Sequence, residues 1–245
     1  MGCSSGPDVV EDGLVLCLDA GSKRSYPGTG TTWTDTVGGN NGTLTNGPTF
    51  DSGNGGSIVF DGANDNVVFS DKDEYSFGNG SLDSPFSIEL YFNCDNVGSG
   101  ASFKGFIGKD NISYREWALL IVSSTKKVRV FIKNQGGGNQ QSIDTTSTLL
   151  NNTWYHVVAT YDGIGGNNAY TGLKLYLNGA FESATSAIGS PYTAMSNTSA
   201  NLTVGNYYGN NNYFNGNISV ARLYNRALTA DEIRRNYLST KERYQ

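Results

Sequence analysis

The feature that most constrains the fold is a series of short segments in which apolar and polar residues alternate. FSIELYFN (86–93) places an apolar residue at every second position, and LKLYL (173–177) does the same. This period of two predicts strands with one face buried and the other exposed to solvent. Turn clusters such as VGGNNG, NQGGGNQQ and YYGNNNYFNG separate such segments. Because no helical segments lie between them, the strands should pair antiparallel.

The composition supports an all-β fold built from many tight turns. The chain has 32 Gly and 5 Pro among its 245 residues, with 15 Tyr and 11 Phe. Gly tolerates positive φ, and aromatic residues suit a pleated, half-buried surface. We therefore predict a single antiparallel β-sandwich over residues 13–245, preceded by a polar N-terminal arm at 1–12.

One helix is predicted, near the C-terminus. In TADEIRRNYL, Thr229 occupies the N-cap and Glu232 follows three residues later, which is the capping-box pattern. Leu228 and Ile233 stand at the positions of a hydrophobic staple. We expect this short helix to cover an edge or an end of the sandwich.

Charge and composition exclude several classes of function. The net charge is −5, and no basic stripe is present to neutralise a phosphate backbone, so nucleic acid is not an expected partner. No apolar run reaches the ~20 residues of a membrane span, and the first residues lack a secretory signal pattern. Cys3, Cys17 and Cys94 form no CxxC spacing, so free thiols in a reducing compartment are expected.

Several motifs, in order, resemble the concanavalin A-like, laminin-G-like jelly rolls. They are SIVFDGANDNVVF, TWYHVVATYDG followed by LKLYLNG, NLTVGN, and FNGNISVARLYNRALTADEI. Together they span almost the whole chain. The resemblance implies the sandwich fold, but that fold carries lectins, adhesins, glycosidase appendages and virion proteins alike.

A second, narrower resemblance indicates the kind of assembly in which the chain would occur. The block from 13 to 50 and the segment NYLSTKERY look like modules in virion structural proteins of tailed bacteriophages, especially those of marine bacteria. This implies a non-enzymatic capsid-decoration or tail-appendage protein that is assembled in the host cytoplasm and contacts other virion proteins and host surface glycans. A homo-oligomer would suit symmetric virion positions, although no coiled-coil heptad is present. The alternatives are a purely structural decoration protein and a glycosidase or polysaccharide lyase.

The sequence offers little for catalysis. Glycosidases need two carboxylates about 5–9.5 Å apart, and no strand carries such a pair. Glu89 is the best strand glutamate, but it is expected on the solvent face with Tyr91 two residues on. The resemblance implies that His156, the single histidine, packs in a structural strand beside a buried Trp154. We predict no catalytic residue and no required cofactor.

A structural calcium ion is a weak candidate. Asp61 and Asp65 in FDGANDN could supply oxygen ligands, with Asp162 a more distant possibility. The alternative is that Asp61-Gly62 and Asp162-Gly163 are hairpin turns. The chain also departs from the resembled family at Ser219-Val220, where relatives often carry Asp-Glu.

The most suggestive surface segment is GNYYGNNNYFNGN. Aromatic faces stack on sugar rings, and amides hydrogen-bond hydroxyls, as in lectin loops. The candidate ligand-binding residues are Tyr207, Tyr208, Asn210, Asn212 and Tyr213. The alternatives are a protein contact and a polar hairpin with Phe214 tucked under the sandwich.

Overall fold

The computed structural model describes residues 9–111, 113–134, 139–182, 184, 187–189, 191–207 and 211–244. Within them the chain forms two antiparallel sheets that pack face to face, with one short C-terminal helix. The all-β sandwich predicted from the alternating segments is therefore confirmed. No helix in the described part of the chain is long and apolar enough to cross a membrane.

The elements run in the following order. The strands are β1 (Leu14–Asp19), β2 (Thr32–Trp33), β3 (Gly42–Thr45), β4 (Thr49–Asp51), β5 (Ser57–Asp61), β6 (Asn66–Phe69), β7 (Phe86–Cys94), β8 (Phe103–Asp110), β9 (Arg115–Val122), β10 (Lys127–Lys133), β11 (Gln140–Asp144), β12 (Trp154–Tyr161), β13 (Leu173–Leu177), β14 (Ala180–Glu182), β15 (Ala187–Gly189), β16 (Leu202–Val204) and β17 (Asn215–Tyr224). The α-helix is α1 (Ala230–Thr240), and short 3-10 helices lie at Gly53–Gly55, Asp73–Tyr75, Ala169–Gly172 and Lys241–Tyr244.

The two sheets differ in what lies on their outer faces. The eight-stranded sheet has the order β14-β13-β12-β7-β17-β5-β4, with β1 also paired to β17. The nine-stranded sheet has the order β15-β11-β10-β9-β8-β16-β6-β3-β2. The alternating apolar residues of both sheets fill the space between them, where Phe92 packs on Phe106 with ring centroids 4.2 Å apart. The helix covers the eight-stranded sheet.

Two motifs that favour hairpin turns, Asn178-Gly179 and Asp61-Gly62, form different connections. Asn178 and Gly179 both have positive φ, 51° and 76°, and join β13 to β14 in the two-residue hairpin that Asn-Gly favours. Asp61-Gly62 does not make a hairpin, because β5 pairs in the eight-stranded sheet and β6 in the nine-stranded one. That prediction is wrong: positive φ at Gly62 serves a crossover between sheets, a long-range arrangement that the local motif does not encode.

The helix begins as the sequence predicts. The Thr229 hydroxyl accepts from the Glu232 backbone N–H, and the Glu232 carboxylate accepts from the Thr229 N–H at 2.8 Å. Leu228 and Ile233 are buried together. The helix does not cover an edge or an end, however. It lies on the outer face of the eight-stranded sheet, where the Tyr91 hydroxyl donates to the Tyr237 carbonyl at 2.9 Å.

This placement removes the solvent face expected for β7. Ser87, Glu89 and Tyr91 point away from the core, yet all three are buried. They contact the helix and the residues before it, through hydrogen bonds with Leu228, Asn236 and Tyr237 respectively. The Val10 N–H donates to the Asn236 side chain at 2.9 Å, which ties this end of the described chain to the helix.

The cysteines also differ from expectation. Cys94 is free and buried, and burial raises the pKa of its thiol to about 11. Cys17 is disulfide-bonded, so the expectation of free thiols is wrong for this residue. The odd count and the lack of CxxC spacing did not exclude a single disulfide.

Candidate functional site

A cleft of about 360 Å³ lies on the outer face of the nine-stranded sheet, across β6, β16 and β8. Alternate residues of β6 and β16 point into the core, namely Val67, Phe69, Leu202 and Val204. The intervening residues of these two strands point outward and form the floor of the cleft. Amide, hydroxyl and phenol groups dominate the lining. The lining residues are Asn66, Val68, Asp110, Asn111, Tyr114, Ser199, Asn201, Thr203, Asn206 and Tyr213.

One wall of the cleft is the segment that follows β16. This segment folds back across β8 at Gly105, where an added Cβ would lie 2.3 Å from the Asn206 carbonyl carbon. The Gly105 N–H donates to the Asn212 carbonyl at 3.1 Å, and Asn206 forms a β-bridge with Tyr213. The absence of a side chain at Gly105 is therefore what lets the segment approach the sheet.

The structure separates the predicted ligand-binding residues. Tyr213 lines the cleft, and Asn212 supports the wall through its backbone carbonyl. Tyr207 packs elsewhere, edge-on to Phe131 with centroids 5.3 Å apart. Tyr208 and Asn210 lie outside the described residues.

Phe214, next to these positions, is fully buried in the core between the sheets. There it contacts Phe60 and Phe106. The segment is thus anchored from below by Phe214, while Tyr213 remains at the surface of the cleft.

Sequence reasoning missed the charged group of the cleft, Asp110. Its side chain has no exposed surface, and neither carboxylate oxygen has a hydrogen-bond partner within the described chain. The Lys133 Nζ is 3.8 Å from Oδ2, too far for a hydrogen bond. A lone aspartate at the end of a strand gives no sequence signal, because its burial depends on residues from distant parts of the chain that meet around the cleft.

Burial dominates the protonation of this pair. Desolvation raises the pKa of Asp110 to about 7, although Lys133 and Arg115 oppose the rise. Desolvation also lowers the pKa of Lys133 to about 8, against the attraction of Asp110. Both groups shift toward their neutral forms, as expected for buried charges without a direct hydrogen bond.

The calcium candidates are engaged in a turn. The Asp61 carboxylate accepts from the Ala63 N–H at 2.8 Å, and the Asp65 carboxylate accepts from the Asp61 N–H at 3.0 Å. The hydrogen bond from Ala63 lowers the pKa of Asp61, whereas burial raises that of Asp65. Among the described residues, no group of three or more His, Cys, Asp or Glu side chains could hold a metal ion. Asp162 accepts from the Ile164 N–H at 3.0 Å and likewise shapes a loop.

The expectation that Glu89 is a solvated strand residue is wrong. Its Oε1 contacts His156 Nε2 at 3.0 Å and accepts from Arg222 Nη1 at 2.8 Å. Its Oε2 accepts from Asn236 Nδ2 at 2.8 Å and the Tyr224 hydroxyl at 3.2 Å. Burial by itself would raise the pKa of Glu89, but Arg222 and His156 outweigh it and hold the pKa at about 2.

This cluster joins the helix to the sheet, and the Glu89 and His156 side chains in it have no exposed surface. His156 is fully buried in it, which agrees with the expected packing role, whereas its neighbour Trp154 is half-buried rather than buried. A carboxylate that already has four partners is not available as a general acid or base.

Solved structures that are similar to this chain include binding domains of toxins. The binding domain of Paraclostridial Mosquitocidal Protein 1 aligns with a TM-score of 0.68 at 14% identity, over 92% of this chain and 52% of that chain. The binding domain of Botulinum Neurotoxin DC in complex with SialylT gives 0.64 at 16%, over 94% and 52%. A botulinum neurotoxin type C structure, described with cell entry dependent upon two ganglioside molecules, gives 0.64 at 16%, over 93% and 51%.

The chain thus spans about half the length of these structures, and at such identities the likeness shows the fold. No curated protein matches the chain. A family model matches residues 61–234, well over half of the chain. The protein therefore belongs to the concanavalin A-like lectin/glucanases superfamily, in its laminin-G-like branch.

Proposed function

We propose that this protein is a non-enzymatic carbohydrate-binding domain and that the cleft on the nine-stranded sheet is its binding site. The observation that carries the proposal is the cleft itself, which combines two tyrosines, Tyr114 and Tyr213, with a polar floor and walls. Its volume of about 360 Å³ lies within the ~300–1,000 Å³ typical of ligand pockets.

The lining suits a sugar better than an apolar ligand. Each pyranose ring has an apolar face that can lie on a phenol ring, while its hydroxyls take hydrogen bonds at the edge. Asn66, Asn111 and Asn201 supply both donors and acceptors around the two tyrosines. Among the structural neighbours, the botulinum domain in complex with SialylT and the type C domain linked to gangliosides are glycan binders on the same fold.

The charged groups favour binding over hydrolysis. Asp110 is the single carboxylate among the described residues that line the cleft, whereas glycosidases use a pair. The nearby Glu116 is occupied: its Oε1 accepts from Lys109 Nζ at 2.7 Å and from the Thr198 hydroxyl at 2.6 Å. Glu89 lies on the opposite sheet under the helix.

The setting we propose is the surface of a tailed-bacteriophage virion, with host surface glycans as ligands and other virion proteins as partners. The support is the resemblance of residues 13–50 and of NYLSTKERY to phage structural modules. A decoration protein without sugar binding is the alternative in that setting. Mass spectrometry of purified particles that carry this gene tests it: we expect the chain among the particle proteins, and its absence would refute both virion roles.

Removing a cleft tyrosine tests the binding site. We expect the wild-type chain to bind glycans on an array, and Tyr213→Ala to weaken that binding about tenfold, because loss of a stacking face costs about 1–1.5 kcal/mol. Phe181→Ala is the matched control, since Phe181 is 58% exposed on β14 of the other sheet. Equal binding by wild type and Tyr213→Ala would refute the cleft, and no binding to any glycan would refute the function.

A further inference from the structure

We infer that the chain has a second carbohydrate site, on the sheet opposite the cleft, and that this site binds a sugar that carries a carboxylate. The site is a pocket of about 80 Å³ beside the C-terminal end of α1, with aromatic residues over most of its lining. Because no residue of this pocket lines the cleft, the inference goes beyond the proposed function and can be tested without it.

Distant parts of the chain meet at the rim of this pocket. Trp154 begins β12, and Asn178 lies in the turn that follows β13. Tyr237, Lys241 and Tyr244 come from the end of α1 and from the 3-10 helix after it. All five residues are half-buried or exposed, so a ligand at the rim can contact them.

The C-terminal wall of the pocket is held in place without a ligand. The Tyr244 ring packs on Trp154 with centroids 4.7 Å apart, and the Tyr244 hydroxyl donates to Ser219 Oγ at 2.8 Å. The preceding residue, Arg243, donates to both carboxylate oxygens of Asp19, at 2.7 and 2.9 Å. A wall fixed in this way loses little conformational entropy when a ligand binds, which favours affinity.

The size and the aromatic rim of the pocket suit one substituent of a sugar and the apolar face of its ring. The pocket is smaller than the ~300 Å³ at which whole ligands are usually enclosed. A pyranose ring would therefore lie across the rim with one substituent inside. Trp154 offers the large apolar ring on which such a sugar face can stack.

Lys241 determines the charge of that substituent. It is the single Lys, Arg, Asp or Glu among the described residues that line the pocket. Its ion pair with Glu242 is 3.7 Å long, too long for a hydrogen bond, and the Glu242 side chain is 73% exposed. Beneath the pocket, Glu89 and Arg222 neutralise each other at 2.8 Å. The ammonium of Lys241 therefore favours an anionic substituent.

The end of the helix does not cancel this attraction. Free carbonyl groups in a last turn disfavour anions, but those near the pocket have donors from the chain. The Tyr237 carbonyl accepts from the Tyr91 hydroxyl at 2.9 Å. The Asn236 carbonyl accepts from the hydroxyls of Ser239 and Thr240 at 2.8 and 2.9 Å. Lys241 therefore dominates the charge at this end of the helix.

A carboxylated pyranose meets these conditions within one residue. Its ring supplies the apolar face for Trp154, and its carboxylate accepts a charge-assisted hydrogen bond from Lys241. Asn178 Oδ1 already accepts from the His156 backbone N–H at 3.0 Å, which leaves Nδ2 as the donor that Asn178 offers to a sugar hydroxyl. Uronic acids and sialic acids share this chemistry, whereas a free amino sugar would bring a second cation to Lys241.

Tryptophan fluorescence reports on this pocket, because Trp33 and Trp117 are fully buried and neither lines it. We would titrate the full chain with sialyllactose, a glucuronic acid oligosaccharide and lactose. We expect the acidic sugars to shift the emission of Trp154 and lactose to bind at least about tenfold more weakly. A shift with one acid alone assigns the site to that acid, and a lactose response equal to both refutes the choice of an acidic sugar.

Removing the cation tests the role of Lys241. Lys241→Gln should weaken the binding of acidic sugars about tenfold, because it removes one charge-assisted hydrogen bond. Lys174→Gln is the matched control, since Lys174 is an exposed lysine on β13 of the same sheet and lies outside the pocket. Lys174→Gln should bind as wild type does, and urea denaturation should give all three proteins similar stability.

The outcomes distinguish this site from the cleft. If neither acidic sugar shifts the emission, or if Lys241→Gln binds as tightly as wild type, the second site is refuted, while glycan binding that depends on Tyr213 would still support the cleft. If acidic sugars bind through Lys241 and Tyr213→Ala weakens no glycan, the cleft is refuted and the second site stands.

Discussion

The outer faces of the two sheets each carry a buried carboxylate. The chain supplies hydrogen bonds to one of these carboxylates and none to the other. Glu89, on the eight-stranded sheet, has four partners at 2.8–3.2 Å and a helix above it. Asp110, on the nine-stranded sheet, has no hydrogen bond from the described chain and a cleft beside it. The pKa of Glu89 is held at about 2, whereas that of Asp110 is raised to about 7.

The difference teaches how to distinguish scaffold from site in a fold that hosts both lectins and glucanases. A buried charge that the chain fully satisfies stabilises the ionised form and fixes packing. A buried charge that the chain leaves unsatisfied destabilises the free protein, and a ligand can recover that cost on binding. By this criterion the helix-covered cluster around Glu89 is scaffold, whereas the cleft face is where we propose the binding site.

The largest expected effect comes from removing the satisfied charge. Glu89→Gln leaves Arg222 as a fully buried cation without its counter-ion, since the Arg222 side chain has no exposed surface. We expect the free energy of unfolding to fall by about 3–5 kcal/mol, measured by urea denaturation at pH 7. The same substitution at Glu242, which is 73% exposed and 3.7 Å from Lys241, should cost no more than about 1 kcal/mol.

The comparison fails if Glu89→Gln and Glu242→Gln lose similar stability. A milder check is the double variant Glu89→Leu with Arg222→Met. Because an apolar pair of similar volume needs no counter-ion, it should recover much of the loss. Continued instability of the double variant would assign the loss to shape and to the hydrogen bonds that His156, Asn236 and Tyr224 make to Glu89, rather than to charge.

The sequence predicted the local parts of this picture and not the long-range ones. Alternation predicts β7 and β13, and Thr229 with Glu232 predicts the start of the helix, because each depends on neighbours within a few residues. The burial of Glu89 depends on where that helix docks, about 145 residues later in the chain. No periodicity encodes such a distance, so Glu89 is indistinguishable from a solvated strand residue by sequence.

The same limit of sequence-based prediction, local features but not long-range contacts, applies to the cleft. The Tyr/Asn segment predicts a surface with ligand-binding chemistry, and Tyr213 does lie in the cleft, but the pattern could not show that Tyr207 turns toward Phe131. Asp110 carries no motif of its own, and its burial arises only in the folded sheet, where it lies beside Lys133 of β10. The position of Tyr207 and the burial of Asp110 both depend on which strands become neighbours in the folded sheet.

A smaller effect of opposite sign is expected from removing the unsatisfied charge. The folded pKa of Asp110, about 7, lies above its unfolded value near 3.8, so its contribution to stability is fully present below about pH 4 and is lost as the pH rises through 7. Lys133 titrates at about 8 when folded and higher when unfolded, and burial also raises the pKa of Glu116 and of Asp83. The contribution of Asp110 is therefore the part of the slope between pH 5 and 7 that Asp110→Asn removes. Wild type should therefore lose up to about 2 kcal/mol of unfolding free energy across this interval through Asp110. The unfolding free energy of Asp110→Asn should change less with pH and be higher at pH 7.

Urea titrations of both proteins at pH 5, 6 and 7 measure the two slopes of unfolding free energy against pH. Parallel slopes would show that Asp110 is satisfied in solution, and the contrast with Glu89 would then disappear.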